Sequence, residues 1–206
     1  MNFLKSLVFV VILACACFPF LSFASVANQN PYETANEIAR QIFADLKSNK
    51  NQLSDNKVVI EIINRDLMPH LDVKYAAYKV IGKSLEKTSK EEREAFSSAF
   101  GDYLVRSISS ALGKYSNQEI VESPVQDVSS DITIVPVKYV VTSKGNPDVN
   151  FIVKMRLNKK TGEWKAFDLI AENISILDAK QAELSPIIRE KGIKEAINVL
   201  QESNGK

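Results

Sequence analysis

Val149-Asn150-Phe151-Ile152-Val153-Lys154-Met155-Arg156-Leu157-Asn158 is the stretch on which the fold turns. Val149, Phe151, Val153, Met155 and Leu157 alternate with Asn150, Ile152, Lys154, Arg156 and Asn158. That period of two predicts a half-buried strand with one apolar face. Before it, Gly145-Asn146-Pro147-Asp148 makes a turn. Further upstream, Ile132 to Ser143 is rich in β-branched residues, with Val135, Val137, Tyr139 and Val141 on one parity. Glu119 to Val128 has the same character and reads as an earlier strand. Downstream, Asn158 to Glu163 is the next turn and Trp164 to Ile170 the last clear strand. Turns this short predict an antiparallel meander. A bulge at Pro136 would shift the parity at Lys138.

Helical spacing surrounds this block. Pro31 sits where a helix starts, and Ile38, Ile42 and Leu46 carry it to about Asn49. Ser54 is placed to cap a second helix bearing Val58, Ile62, Ile63 and Leu67, which stops near Pro69. Asp72 is placed to cap a third, with Tyr75, Ala76, Val80 and Ile81, ended by Gly82. Thr88-Ser89-Lys90-Glu91 opens a long helix with a capping box. Phe96, Phe100, Leu104, Ile108 and Leu112 then recur at four-residue steps until Gly113. Helical spacing returns from Asp178, is broken near Ser185-Pro186 and Gly192, and ends in Ile193, Ile197 and Leu200. The fold class is α+β: a small antiparallel sheet whose apolar face is covered by N-terminal and C-terminal helices.

The chain opens Met1-Asn2-Phe3-Leu4-Lys5, followed by an apolar run from Leu7 to Phe23 and the small-x-small sites Ser22-Phe23-Ala24 and Ser25-Val26-Ala27. This order predicts an export signal over residues 1–24, cleaved after Ala24 or Ala27, and a single domain over 28–206. A spanning anchor fits less well, because the run is short and Pro19 interrupts it. Lipid attachment at Cys15 would leave Phe18, Phe20 and Phe23 just behind the modified residue. Both cysteines, Cys15 and Cys17, fall in the predicted leader, so the mature chain has no disulfide and no thiolate ligand. Its 25 basic side chains balance 25 acidic ones. No global field draws it to nucleic acid or to an anionic membrane.

Catalytic patterns are sparse. The chain has one histidine, His70, beside Pro69, which argues against a transition-metal site. No G-x-S-x-G elbow accompanies it. Gly82-Lys83-Ser84 resembles the end of a phosphate loop, but Ala77 stands where the loop needs glycine. Asp168 and Glu172 are carboxylates without a partner motif, and read as turn-bonded or solvated.

The apolar inventory is more informative. Val135, Val137, Tyr139 and Val141, with Phe151, Val153 and Met155, give an apolar sheet face. Phe96, Phe100, Leu104 and Ile108 offer a stripe to set against it. These eleven residues make either a closed core or the lining of a pocket for an apolar ligand. On the opposite parity Lys138, Lys154, Arg156 and Lys165 form a basic stripe, either a solvated face or a docking surface for an acidic partner.

Three stretches resemble the MlaC family of periplasmic phospholipid-binding proteins, the toluene-tolerance group. They are Leu67-Met68-Pro69-His70-Leu71-Asp72 running on to Val80-Ile81-Gly82; Thr88-Ser89-Lys90-Glu91-Glu92-Arg93-Glu94-Ala95-Phe96 with Phe100, Leu104-Val105 and Leu112; and Gly162-Glu163-Trp164-Lys165-Ala166-Phe167-Asp168-Leu169 leading to Ser175. Their order and spacing span residues 31–202. Leu85 stands where the family often has Trp, and Asn173 where it usually has Gly. The usual start of the last helices is replaced by Lys180-Gln181-Ala182-Glu183-Leu184. The resemblance implies a periplasmic carrier, not an enzyme, with no cofactor and phospholipid as cargo. It implies as partners an inner-membrane ABC transporter with a ring-forming lipid-binding subunit, and an outer-membrane lipoprotein–porin complex. On that reading Phe96, Phe100, Leu104, Ile108, Val135, Val137, Tyr139, Val141, Phe151, Val153 and Met155 line the lipid pocket between sheet and helices. Lys154, Arg156 and Lys165 would then serve docking. An exported enzyme or an interaction module on a similar fold remains the alternative.

Overall fold

Asn30 begins the first helix by accepting the N–H of Tyr32 on its side chain, and Pro31 occupies the first helical position, where no N–H is needed. Helix α1 runs Pro31–Ser48. The computed structural model describes residues 30–203, so the predicted export signal and its cleavage sites lie outside the described residues. Helix α2, Asn56–Ile62, is capped by Asp55 rather than the expected Ser54. The carboxylate one residue on accepts the N–H of Lys57. A wider π turn over Ile63–Leu67 and a 3-10 turn over Met68–His70 follow, ending beside Pro69 as the sequence predicts. Asp72 caps α3, Val73–Ile81, which stops at Gly82 with φ +58°. Helix α4, Lys90–Leu112, is capped reciprocally by Ser89 and Glu92, one residue on from the expected Thr88–Glu91 box; the Thr88 hydroxyl instead donates to the Leu85 carbonyl.

The meander forms as expected. Strands β1 (Glu119–Val121), β2 (Ile134–Thr142), β3 (Val149–Asn158), β4 (Glu163–Ala171) and β5 (Ile174–Ser175) pair antiparallel in chain order. Two features depart from expectation. The strand read over Glu119 to Val128 pairs only through Val121. Beyond it, residues 122–133 form an irregular strap that includes Pro124, a residue with no N–H for a ladder. Register also runs unbroken through Pro136, opposite Lys154, and Lys138, opposite Ile152. The irregularity lies on the other side of β3, between Lys154 and Met155, where Phe167 is the extra residue on β4. Its ring meets Tyr75 edge-on, with centroids 5.1 Å apart.

Glu172 and Asn173, in the turn to β5, have φ of +48° and +64°. Left-handed backbone here explains why glycine suits the second position and why asparagine tolerates it. Ser175 caps α5, Ile176–Lys191. Pro186 sits inside this helix, where the sequence predicts a break, with Leu184 and Ile188 buried on either side of it. Gly192, φ +88°, separates α5 from α6, Ile193–Glu202.

Buried apolar side chains gather in three clusters. The first joins α3, α4, α5 and α6 around Val80, Phe96, Phe100, Leu184, Ala196 and Leu200. The second sets the sheet against the first half of α1, with Tyr32 and Ala35 on Val135, Val137, Tyr139, Met155 and Trp164. The third packs the second half of α1 on α2, with Ile42, Leu46, Val59 and Ile63. Helix α1 therefore belongs to two of the three.

Candidate functional site

Residues directly opposite on neighbouring strands share a face. Register therefore defines the inner face of the sheet row by row: Val141 beside Val149; Tyr139 beside Phe151, Ala171 and Ile174; Val137 beside Val153 and Leu169; Val135 beside Met155 and Ala166. Every residue in these rows but Tyr139 is wholly apolar. Cover is uneven along it. Val135, Val137, Tyr139 and Met155 are buried in the cluster with α1. Val141, Phe151, Val153, Leu169 and Ala171 are only half-buried. Val149 is 43% exposed and Ile174 64% exposed, unusual values for aliphatic side chains on a core-facing parity.

The expected partner stripe on α4 does not face this surface. Phe96 and Phe100 stack on each other, 6.3 Å between centroids, inside the α3–α4–α5–α6 cluster, and Leu104 packs against the same cluster. Ile108 packs against the α1–α2 cluster. Four-residue spacing identifies a buried stripe but not its neighbour, and α3, α5 and α6 supply the cover here. The slot expected between sheet and α4 is accordingly not formed by these side chains. It is α1 that covers the sheet.

Two clefts border α1. One, about 380 Å³, is lined by Phe43, Lys47, Tyr115 and Ile120. The other, about 220 Å³, lies between Asn30, Pro31, the strap at Asp127–Ser130, Leu157 and Trp164. Pockets that enclose drug-sized ligands measure about 300–1,000 Å³, so the larger cleft stands at the small end of that range and the other falls below it.

The cationic stripe is largely committed to internal pairs. Lys154 Nζ donates to Asp168 Oδ2 at 3.0 Å. Asp168, expected as turn-bonded or solvated, is buried, and its carboxylate bonds across the turn, accepting the Ser175 hydroxyl (2.9 and 3.1 Å) and the Leu177 N–H (3.1 Å). It thereby fastens the start of α5 to β4. Arg156 pairs with Asp72 and lies 4.1 Å from the centroid of Tyr75. Lys165 has only a loose contact with Glu163, 3.8 Å. Lys138 is exposed on β2. The sequence shows the cations, but only the register brings Asp168 opposite Lys154, and only the tertiary fold brings Asp72 to Arg156.

Away from the sheet, Arg65 donates to both oxygens of Asp66 at 2.7 Å and holds that carboxyl below its ordinary range. Burial drives the Tyr139 hydroxyl well above the ordinary phenol range. His70 is exposed at the end of its turn. Among the described residues no three His, Cys, Asp or Glu side chains converge as a metal site would require. No described helix is long and apolar enough to cross a membrane.

Comparison with known proteins gives likenesses of three kinds. The family described as MlaC protein matches residues 36–202. The intermembrane phospholipid transport system binding protein MlaC of Haemophilus influenzae is 29% identical over 181 residues, which cover 87% of this chain and 84% of that protein. In fold, the chain is similar to the phospholipid-binding protein of Ralstonia solanacearum solved in complex with a phospholipid. The TM-score is 0.75 at 18% identity, over 85% of this chain and 97% of that one.

Proposed function

Because the chain belongs to the MlaC family, we propose that it is a periplasmic carrier that binds diacyl phospholipid on the inner face of its sheet and moves it between membranes. The observation that carries this reading is the thinly covered half of that face: Phe151 and Val153 half-buried at the edge of the α1 cluster, Leu169 and Ala171 half-buried, Val149 and Ile174 exposed. An apolar surface of this extent on a core-facing parity is where an apolar ligand finds cover. The H. influenzae relative is named for intermembrane phospholipid transport, and the similarly folded R. solanacearum protein holds a phospholipid.

The energetics suit a carrier. Each methylene taken out of water contributes about 0.8 kcal/mol, so about 30 of them keep a free lipid from crossing water at a useful rate. A bilayer is as apolar as a pocket, however, and exchange between membrane and carrier is close to balanced. Direction then has to come from partners. We assign that role to an inner-membrane ABC transporter with a ring-forming lipid-binding subunit and to an outer-membrane lipoprotein–porin complex, the exchange serving outer-membrane lipid asymmetry. Catalysis has no part in this reading.

The test is direct. Organic extraction and mass spectrometry of the purified mature chain should recover diacyl phospholipid. Lipid-free protein should also take phospholipid from vesicles of phosphatidylethanolamine and phosphatidylglycerol. Stable, lipid-free protein that takes up none would refute the carrier reading.

A further inference from the structure

The strap between β1 and β2 is tied to α1 by side chains. Asn30 Nδ2 donates to the Gln126 carbonyl (2.7 Å) and the Tyr32 hydroxyl to Gln126 Oε1 (3.3 Å). Asn36 Nδ2 donates to the Ser123 carbonyl (2.9 Å), and Arg40 pairs with Glu122 (2.9 Å). Among the described residues no backbone–backbone hydrogen bond joins 122–128 to α1 or to β2. Of the strap's valines, Val128 packs against the sheet cluster while Val125 is left exposed. The two clefts lie at its two ends, one beside β1 and one under residues 127–132. The seam is thus underpacked at both ends and laced by polar bonds that water can replace.

Two buried atoms at this seam have no partner: the Tyr139 hydroxyl and Asn36 Oδ1, in residues 3% and 4% exposed. Tyr139 stacks on Phe151, 5.2 Å between centroids, in the row that leads out to Ile174. An orphaned hydroxyl penalises the closed arrangement and regains a water partner on opening. Parting an apolar seam loses burial with no such return.

We propose that the strap and the first half of α1 form a releasable latch over the covered half of the inner face. Its opening joins Val135, Val137 and Tyr139 to the uncovered strip and gives room for both acyl chains. The role in lipid uptake rests on the carrier reading above; the latch itself does not.

Tyr139→Phe removes the orphaned hydroxyl and keeps the ring. In lipid-free full mature chain it should slow hydrogen exchange of the backbone amides of α1 residues 35–42 about tenfold, with the melting temperature unchanged or raised. Uptake from phosphatidylethanolamine–phosphatidylglycerol vesicles should slow by a similar factor. Gln126→Ala combined with Arg40→Gln cuts the ties to Tyr32 and Glu122 and should speed both. A lower melting temperature for Tyr139→Phe means the hydroxyl has a partner, and overturns the proposal. So do exchange and uptake rates that match the wild type in both variants. Exchange that responds as expected while no variant, nor the wild type, takes up lipid would refute the carrier reading and leave the latch standing.

Discussion

Replacing Val153 with tryptophan separates a ligand surface from an ordinary core. Val153 lies between Val137 and Leu169 on the inner face and is half-buried, whereas Val137 is fully buried. The same substitution on these neighbours meets opposite surroundings. At Val137 the indole adds about seven heavy atoms to a filled cluster, and overpacking costs about 1–3 kcal/mol or more. For a domain of this size that lowers the melting temperature by roughly 3–10 °C. At Val153 the ring has the uncovered strip to lie on, so stability should change by less than about 1 kcal/mol. The ring then occupies space for roughly four methylenes of an acyl chain. At about 0.8 kcal/mol each this forfeits about 3 kcal/mol, more than a hundredfold in lipid retention. Melting temperature and phospholipid per protein are measured on the same preparations of Val153→Trp, Val137→Trp and wild type. If Val153→Trp loses as much stability as Val137→Trp and still carries a normal lipid load, Val153 is core and the ligand lies elsewhere.

Three further outcomes follow from the polar contacts. Asp168→Asn keeps the shape but removes the charge that holds Lys154, Ser175 and the Leu177 N–H; it should cost about 1.5–3 kcal/mol, read as a lower urea midpoint at unchanged slope. A wild-type midpoint would show that the carboxylate is no clamp. Arg156→Glu sets a second carboxylate against Asp72 and should destabilise by more than about 2 kcal/mol, while Lys165→Glu stays within about 0.5 kcal/mol; equal melting curves for the two would count against the pairing. Asp66, held below its ordinary value of 3.8 chiefly by the hydrogen bond from Arg65, binds a proton less readily folded than unfolded. Its stabilisation is present above pH 3.8 and is lost as pH falls from there through the lower folded value. Asp66→Asn should therefore lose less melting temperature than wild type between pH 6 and pH 2.5, and parallel losses would contradict this.

Helix starts were legible to within a residue because capping is local chemistry: Asp72 acts on an N–H three residues on, while the expected Thr88–Glu91 box is displaced by one residue to Ser89–Glu92. Ser54 and Asp55 compete for one position, and the carboxylate took it. The alternation in β3 was legible because one side chain in two must face the core. The strap was not, since Val125 and Val128 have a strand's composition while the bonds that keep the segment irregular come from α1, about 80 to 100 residues earlier. Nor did spacing disclose that Pro186 lies within a continuous helix, or that Phe96 and Phe100 turn to α3, α5 and α6 rather than to the sheet. The uncovered end of the inner face depends on where α1 stops shielding the sheet, which no local pattern encodes.

The division of labour between neighbours and distant segments bears on how the chain acquires its shape. From β2 onward each strand of the meander meets the one before it across a short turn, so most of the sheet closes small loops. The helical cluster does the reverse: Arg106 Nη2 donates to the Leu200 carbonyl, 94 residues away. Closure entropy grows with loop length, which sets the joining of α4 to α6 late in assembly. A chain that ends before Ile176 has every residue of all five strands, yet Val80, Phe96 and Phe100 are left without Leu184, Ile188, Ala196 and Leu200 to cover them. Until its last two helices arrive, the apolar face of α3 and α4 is exposed to whatever it meets.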